Sequence, residues 1–523
     1  MEFVHRPIIF SDAGMVVSGH HRASEVGADV LKRGGTAIEA AVASSAALCV
    51  AMPQMNGIGG DCFALYFDCR DGKVSAINGS GATPGNATPE FYRLAGRKEI
   101  PSRGPLSIST CGLVHAWQAA LDRFGGGPLA PLLEPAIALA DQGVPVDLGL
   151  QAYLSSDDYG RRTAAAPELA RIYGPRAPRE LGARLKQQAL AGSLRRIAKD
   201  GVASFYGGAL GKDLIADLSA AGALLSLADL AEHRTIFAAS GSARFHGARV
   251  HFAPPNSQGI ALGLLAGLWD ILRARPEAGA GLNPRLYMQI KRLAFKYRDQ
   301  YAIDPARIAL PEDLLGRERL TGMLDQESAA FDFESRSAGG DTSTFVIIDR
   351  RGNAVSWVQS LFDDFGSGVV SPSTGIVMHN RLCLERLDAG PGLGLMPGMR
   401  PFHTLCPALV IRDGCEMAIA TPGDHGQPQS IFQVLVNVYD RGQNLQAAIE
   451  APRMRHDAGL DFMMEDRAAP DWFASASAAG FLVRKLGPWS RLMGGVNAVM
   501  RSKDGSLMSG ADPRRSSYAV SAS

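Results

Sequence analysis

Asp341-Thr342-Ser343-Thr344-Phe345-Val346-Ile347-Ile348-Asp349, continued by Arg351-Gly352-Asn353-Ala354-Val355-Ser356, is the stretch on which the reading of the fold turns. Residues 345–348 are apolar and rich in β-branched side chains, residues 349–353 have turn chemistry, and residues 354–358 read as a returning strand. The plain account is therefore a β-hairpin. The opening residues allow a second account. Three hydroxyl side chains in a row follow Gly339-Gly340. If the Asp341–Thr342 bond were cut, Thr342 would carry a hydroxyl nucleophile and, on the same residue, a free α-amine to serve as its base. From these residues alone the hairpin is the simpler account, and the rest of the chain reverses that preference.

The 523 residues suffice for two or more ordinary domains or one large α/β body. Charge is balanced, 53 basic against 52 acidic side chains, which argues against nucleic acid or an acidic membrane surface as partner. With 46% apolar and 20% charged residues the composition is globular, and 59 glycines imply many tight turns. The seven cysteines are odd in number and include no Cys-x-x-Cys pair, so reduced core thiols are expected in place of a disulfide framework. The first residues lack a basic segment followed by an apolar run, and the longest apolar run, residues 40–52, is too short to span a bilayer. A cytoplasmic protein is expected.

Along the chain, residues 14–19 read as a strand and residues 23–33 as a helix stopped by Gly34-Gly35. Thr36 and Glu39 form a capping box that opens a helix over residues 37–50, apolar nearly all round and therefore buried. The glycine-rich loop 56–61 leads into a strand at 62–68 with no Lys-Ser/Thr after it, so close backbone packing is expected there and not phosphate binding. A strand at 74–78, helices at 112–124, 132–142 and 185–200, short helix entries near 203 and 225, a strand from 250 and helices at 260–272 and 286–301 follow. Residues 304–340 are polar and read as an irregular, exposed, cleavable linker. Beyond it, strands are expected at 344–348, 354–360, 375–378, 408–411 and 417–420, with helices at 429–439 and from 445.

These pieces resemble, in one order and over nearly the whole length, the γ-glutamyltransferase family of N-terminal-nucleophile hydrolases. The motifs that carry the resemblance include Gly57-Ile58-Gly59-Gly60, Phe205-Tyr206-Gly207-Gly208, Pro254-Pro255-Asn256-Ser257-Gln258-Gly259, the Thr342 strand, Gly352-Asn353-Ala354-Val355-Ser356, Pro422-Gly423, Ala451-Pro452-Arg453 and Asp512-Pro513-Arg514-Arg515. The resemblance, closest to the oxamate amidohydrolase branch, implies an α+β fold. This is a four-layer αββα sandwich, with helices covering two stacked antiparallel sheets. It also implies a zymogen that cuts itself between Asp341 and Thr342. The products would be a large subunit, 1–341, and a small one, 342–523, held as an intertwined heterodimer, and a further pairing of such heterodimers is compatible with it.

Carried over residue by residue, the resemblance makes Thr342 the nucleophile, Ser360 a supporting hydroxyl or an ordinary strand serine, and Gly423-Asp424 the backbone donors for the oxyanion. The clamp for a γ-glutamyl group does not carry over. Its arginine position reads Ser80, its asparagine Phe362, its carboxylate region Arg381-Leu382-Cys383-Leu384, and its serine pair His403-Thr404. An ammonium group left unpaired in such a site costs several kcal/mol, so γ-glutamyl transfer is disfavoured. A filled pocket with one new cation suits a small acid amide whose carboxylate pairs with Arg381. The resemblance to the oxamate amidohydrolase branch, which fits such a pocket, then implies hydrolysis of oxamate to oxalate and ammonia in purine degradation. Alternatives are a glutathione hydrolase or γ-glutamyltransferase, a cephalosporin-acylase-like amidase, and, in another class, an inactive binding or scaffold relative. No His-x-x-x-His or His/Cys ligand spacing is present, so neither a metal nor a cofactor is expected.

Overall fold

The computed structural model describes residues 4–156, 159–160, 163, 166–174, 178–278, 281–326, 340–387 and 394–523. Two seven-stranded antiparallel sheets lie face to face. The first runs, in spatial order, Tyr518–Ser521, Gly14–Ser18, Asp341–Asp349, Ala354–Phe362, Asp61–Asp68, Lys73–Gly79 and Ile236–Ala239. The second runs Phe10–Ser11, Leu507–Ala511, Asn497–Arg501, Cys415–Ala420, Ala408–Ile411, Ala248–Phe252 and Gly241–Phe245. Both sheets draw strands from either side of residue 342, and the strand that carries Thr342 is near the middle of the first.

Side-chain alternation assigns each face. Phe345, Ile347, Val355 and Trp357 point to a helical layer that contains His21–Lys32 and Ala37–Ala51. Val346, Ile348, Ala354 and Val358 point the other way, onto Leu409, Ala418, Ala420 and Val499 of the second sheet. Behind the second sheet, the helices Gly259–Leu272, Pro284–Tyr301 and Gln427–Tyr439 close the fourth layer. The αββα order follows from strands that are apolar on both faces and so have to be covered twice.

The capping box is present: Thr36 Oγ accepts from the Glu39 N–H and the Glu39 carboxylate accepts from the Thr36 N–H. The helix it opens, Ala37–Ala51, is buried along its whole length save Glu39. Several expectations need correction. Within the segment expected to be irregular, Arg317–Asp325 is a helix that buries Leu320, Met323 and Leu324, while residues 327–339 of the expected linker lie outside the described residues. Residues 375–378 form no strand and make only the isolated bridges Val370↔Val377 and Gly59↔Met378. Gly375 has φ +70° and is pressed against the Leu190 backbone, a bend that a continuous strand cannot take. Of the seven thiols, Cys69 is exposed and Cys383 is half-buried, so only five belong to the core. No described helix is long and apolar enough to cross a membrane.

Burial also sets a pH limit. It pushes His20 and His251 down to about 4, and His233, His403 and His456 down to about 3. These imidazoles stay neutral in the fold at pH values where the unfolded chain, near 6.5, takes up protons. Below pH 6.5 the unfolded state therefore binds more protons, and stability falls as pH falls, by about 1.4 kcal/mol per pH unit for each imidazole. The urea midpoint is expected to drop clearly between pH 7 and pH 5 at constant m-value; a flat profile would mean that these rings are charged in the fold.

Candidate active site

The site is built at one end of the layer between the sheets. Thr342 and Thr344 share the inward face with Val346, and Thr344 is fastened to the second sheet by Asn497, whose Nδ2 donates to Thr344 Oγ1 over 2.8 Å. Ser343 points to the opposite side, where Asn56 Nδ2 donates to its Oγ at 2.9 Å. The Asn56 Oδ1 accepts from Gln359 Nε2 at 2.6 Å on the returning strand. The glycine-rich loop thus clamps both strands of the hairpin. A Cβ at Gly60 would lie 2.5 Å from the Ser360 carbonyl oxygen, and one at Gly59 2.3 Å from that of Val377. The glycines serve backbone contact, as the loop's sequence suggested.

Thr342 is buried, and its hydroxyl lies 3.4 Å from Ser360 Oγ. The strand Asp341–Asp349 runs through the Asp341–Thr342 peptide, with a register shift between Asp341 and Ser343. Ser360 Oγ also accepts the Phe362 N–H at 2.7 Å, which helps hold Phe362 at φ +78°. The Phe362 ring is covered on one side by the Arg381 guanidinium, 4.4 Å from the ring centre, and has Gly340 against it.

Directly opposite Ser360 in the strand register is Asp61, a residue the sequence reading passed over. Its carboxylate is buried and gathers three side chains. His403 Nε2 lies 3.0 Å from Oδ2, His379 Nδ1 3.2 Å and Arg381 Nε 3.9 Å. Burial works to raise the Asp61 pKa, but His379 and then His403 overcome it and hold the carboxyl well below the usual range. Burial, reinforced by Arg381, keeps His403 neutral against the pull of Asp61, so its Nε2–H donates to the carboxylate. Arg381 donates from Nη1 to Thr404 Oγ1 at 3.1 Å. Arg381 lies in a 3₁₀ turn, Arg381–Leu384, and not at the end of the strand its assignment assumed. Asp61 Oδ1, Arg381 Nε and Nη2, and Nδ1 of both His379 and His403 have no hydrogen-bond partner among the described residues.

Ser80 stands at the edge of this cluster. Its hydroxyl donates to Asn78 Oδ1 at 2.7 Å and accepts from Asn256 Nδ2 at 3.2 Å, and the Asn256 carbonyl accepts the His403 N–H at 2.9 Å. Arg400, also missed, donates to the Ser80 carbonyl and brings a cation beside that position. Gly423 and Asp424 form a turn with φ +122° and +54°. The turn does require a left-handed residue at 424, where glycine would be unstrained. Gly423 lines a cavity of about 260 Å³ together with Gly340 and Arg455, and Pro422 lines an adjoining one of about 370 Å³ with Thr342 and Asn497. The structure thus brings Thr342, Ser360, Phe362, Arg381, His403 and Thr404 together with Asp61, and sets the Gly423 turn across from the Gly340–Thr342 segment.

This arrangement has the parts of an acyl-transfer site: a hydroxyl, a second hydroxyl beside it, a turn with left-handed backbone and a buried cation. Comparison with known proteins places the whole chain in one enzyme family. The family model described as Gamma-glutamyltranspeptidase matches residues 23–522. The chain is 36% identical to the Glutathione hydrolase-like YwrD proenzyme of Bacillus subtilis (97% of this chain, 98% of the relative). It is also 36% identical to the Oxamate amidohydrolase proenzyme of Klebsiella pneumoniae (98% of both). The crystal structure of cephalosporin acylase from Bacillus halodurans superposes with a TM-score of 0.91 at 30% identity, covering 99% of this chain and 98% of that one. The chain belongs to the gamma-glutamyltranspeptidase family and is an amidohydrolase with that family's N-terminal-nucleophile fold.

Proposed function

We propose that the protein is a self-cleaving amidase for a small acid amide, with oxamate as substrate and oxalate and ammonia as products. The observation that carries this reading is Arg381: fully buried against the Phe362 ring, with two donor atoms that no described residue satisfies. An unmade hydrogen bond of a buried group costs about 1–3 kcal/mol, more for a charged one. A carboxylate that takes up these donors recovers that cost. A relative of equal similarity bears the name oxamate amidohydrolase, in keeping with this reading.

In the precursor, Thr342 Oγ attacks the Asp341 carbonyl carbon, the peptide C–N bond breaks, and the hydroxyl proton passes to the departing nitrogen. Water opens the resulting ester and leaves Thr342 with a free α-amine, whose pKa near 7.7–8.0 suits a base at neutral pH. The subunits 1–341 and 342–523 cannot drift apart without dismantling both sheets, since each sheet contains strands of both. Departure of Gly340 from the Phe362 ring then opens the way to Arg381. In turnover, Thr342 Oγ attacks the carboxamide carbon and its proton travels through the α-amine to the leaving ammonia. Water then releases oxalate from the acyl-enzyme. Ser360 supports the hydroxyl, and the Gly423–Asp424 turn supplies N–H donors to the oxyanion, each worth roughly 3–4 kcal/mol when removed in well-studied enzymes. His403 and Thr404 orient Arg381 and the acyl group, Phe362 limits its length, and Ser80 with Arg400 closes the far end.

Ammonia release from oxamate, compared with p-nitroaniline release from a γ-glutamyl anilide, tests the assignment. Oxamate is expected to be turned over and the anilide not. Arg381→Ala is expected to raise KM for oxamate about 10- to 100-fold while precursor cleavage persists, as loss of a charged hydrogen-bonded contact predicts. Turnover of the anilide alone would select the glutathione hydrolase reading that the YwrD relative's name suggests.

A further inference from the structure

We infer that Arg455 and Gln258 are positioning residues that aim the backbone N–H of Asp424 at the reacting carbonyl; this rests on the reading of Gly423–Asp424 as the oxyanion turn. In a trans peptide the C=O and N–H of one plane point in opposite directions. Whatever holds the Gly423 carbonyl therefore sets the direction of the Asp424 N–H. That carbonyl accepts from Arg455 Nη1 at 3.1 Å and from the Gly426 N–H at 2.8 Å. The following carbonyl, of Asp424, accepts from Gln258 Nε2 at 2.8 Å. Both edges of the Asp424 residue are thus pinned by side chains from outside the turn.

The pins are themselves braced. Arg455 is buried, donates through Nε to Asp457 at 2.8 Å and through Nη1 to the Leu492 carbonyl at 2.8 Å. It lies so close under the turn that a Cβ at Gly426 would meet its Nη1 at 3.0 Å. Gln258 shares Nε2 with the Thr404 carbonyl at 2.5 Å and accepts on Oε1 from Arg298 Nη1 at 3.3 Å. Gln258 comes from the segment before residue 342 and Arg455 from the segment after it, so the turn is held by both prospective subunits. It also needs holding. Asp424 sits at φ +54°, where a residue with a Cβ is strained, and such backbone persists only where its surroundings over-determine it. Gln258 further ties the turn to Thr404, the residue that receives Arg381, so the acyl-binding cluster and the oxyanion turn move as one body.

The test uses the cleaved enzyme in the variants Arg455→Met, Gln258→Met and Gly423→Ala, with oxamate, and with γ-glutamyl and glutaryl p-nitroanilide should wild type prefer an anilide. Positioning predicts that Arg455→Met and Gln258→Met each lower kcat about 10- to 100-fold with KM within about twofold, because the donor is needed only once negative charge develops on the oxygen. Arg455→Lys, which keeps the charge against Asp457 and one donor, is expected to recover most of the loss, and it carries the comparison if Arg455→Met does not fold. If Gly423→Ala lowers kcat but the Met variants do not, the positioning role is overturned while the oxyanion turn stands. If none of the three lowers kcat, both fall. A rise in KM at unchanged kcat would also overturn the inference, since it would place Arg455 or Gln258 in ground-state binding.

Discussion

Thr342→Ala is expected to accumulate as a single uncut chain with amidase activity reduced at least about 10,000-fold, the scale on which loss of a nucleophile acts. The substitution removes the hydroxyl that the proposed mechanism uses twice, once on the Asp341 carbonyl and once on substrate. It removes little else, for Asp341 and Ser343 on either side are paired with the returning strand and Thr342 itself is buried. The fold should therefore persist, with wild-type circular dichroism. Thr342→Ser keeps the hydroxyl and the α-amine and is expected to be cut and to retain measurable turnover. Ser360→Ala separates the two steps further. In the uncut chain no α-amine exists at residue 342, and Ser360 Oγ, 3.4 Å away, is the neighbouring hydroxyl. Its loss is expected to slow cutting more than it slows turnover by enzyme already cut. Gel electrophoresis after incubation, beside ammonia release, reads all three variants. A cut Thr342→Ala chain would falsify the assignment of the nucleophile, whatever its activity.

The hairpin at Thr342 was legible because its pattern is local: hydroxyls, four apolar residues, a turn, a return. The helix Ala37–Ala51 was legible because Thr36 and Glu39 announce its start. The features that escaped depend on distant pairing. The edge strand Ile236–Ala239 carries little alternation, since an edge is only partly covered. The helix Arg317–Asp325 did leave a signal, Leu320, Met323 and Leu324 at helical spacing, within a segment whose polarity hid it. Asp61 is the most informative case. In the sequence it ends a glycine-rich loop. Yet Asp61, Phe63 and Leu65 alternate along one strand, and the inward direction of Phe63 and Leu65 implies that Asp61 points inward too. That alternation could have found it. What sequence could not show is that His379, Arg381 and His403, from segments far along the chain, meet at its carboxylate.

Asp61→Asn should accordingly destabilise the fold by about 3–5 kcal/mol, the usual cost of removing one partner of a buried ion pair. Arg381 cannot shed its proton at neutral pH and cannot reach solvent from where it lies. Burial lowers its pKa, and Asp61 is first among the charges that oppose this, ahead of Cys383, Asp424 and Asp363. Asparagine keeps the shape but leaves that cation uncompensated. Replacing both partners, in Asp61→Asn with Arg381→Met, removes the stranded charge as well as its counter-charge and should restore much of the loss, for a buried pair exchanged for neutral groups of like volume is often close to neutral in stability. The urea midpoint at constant m-value reads the cycle, and the uncut Thr342→Ala chain is the right host, since unfolding then releases no separate subunit. Activity in the cut enzyme should move the other way from stability. With Asp61 gone, Arg381 has no internal carboxylate to share with the substrate's, so KM for oxamate should not rise even as the protein weakens. Equal stabilities for Asp61→Asn and the double variant would mean that Arg381 draws its compensation from elsewhere, and the carboxylate opposite Ser360 would then have to be explained by its two imidazoles alone.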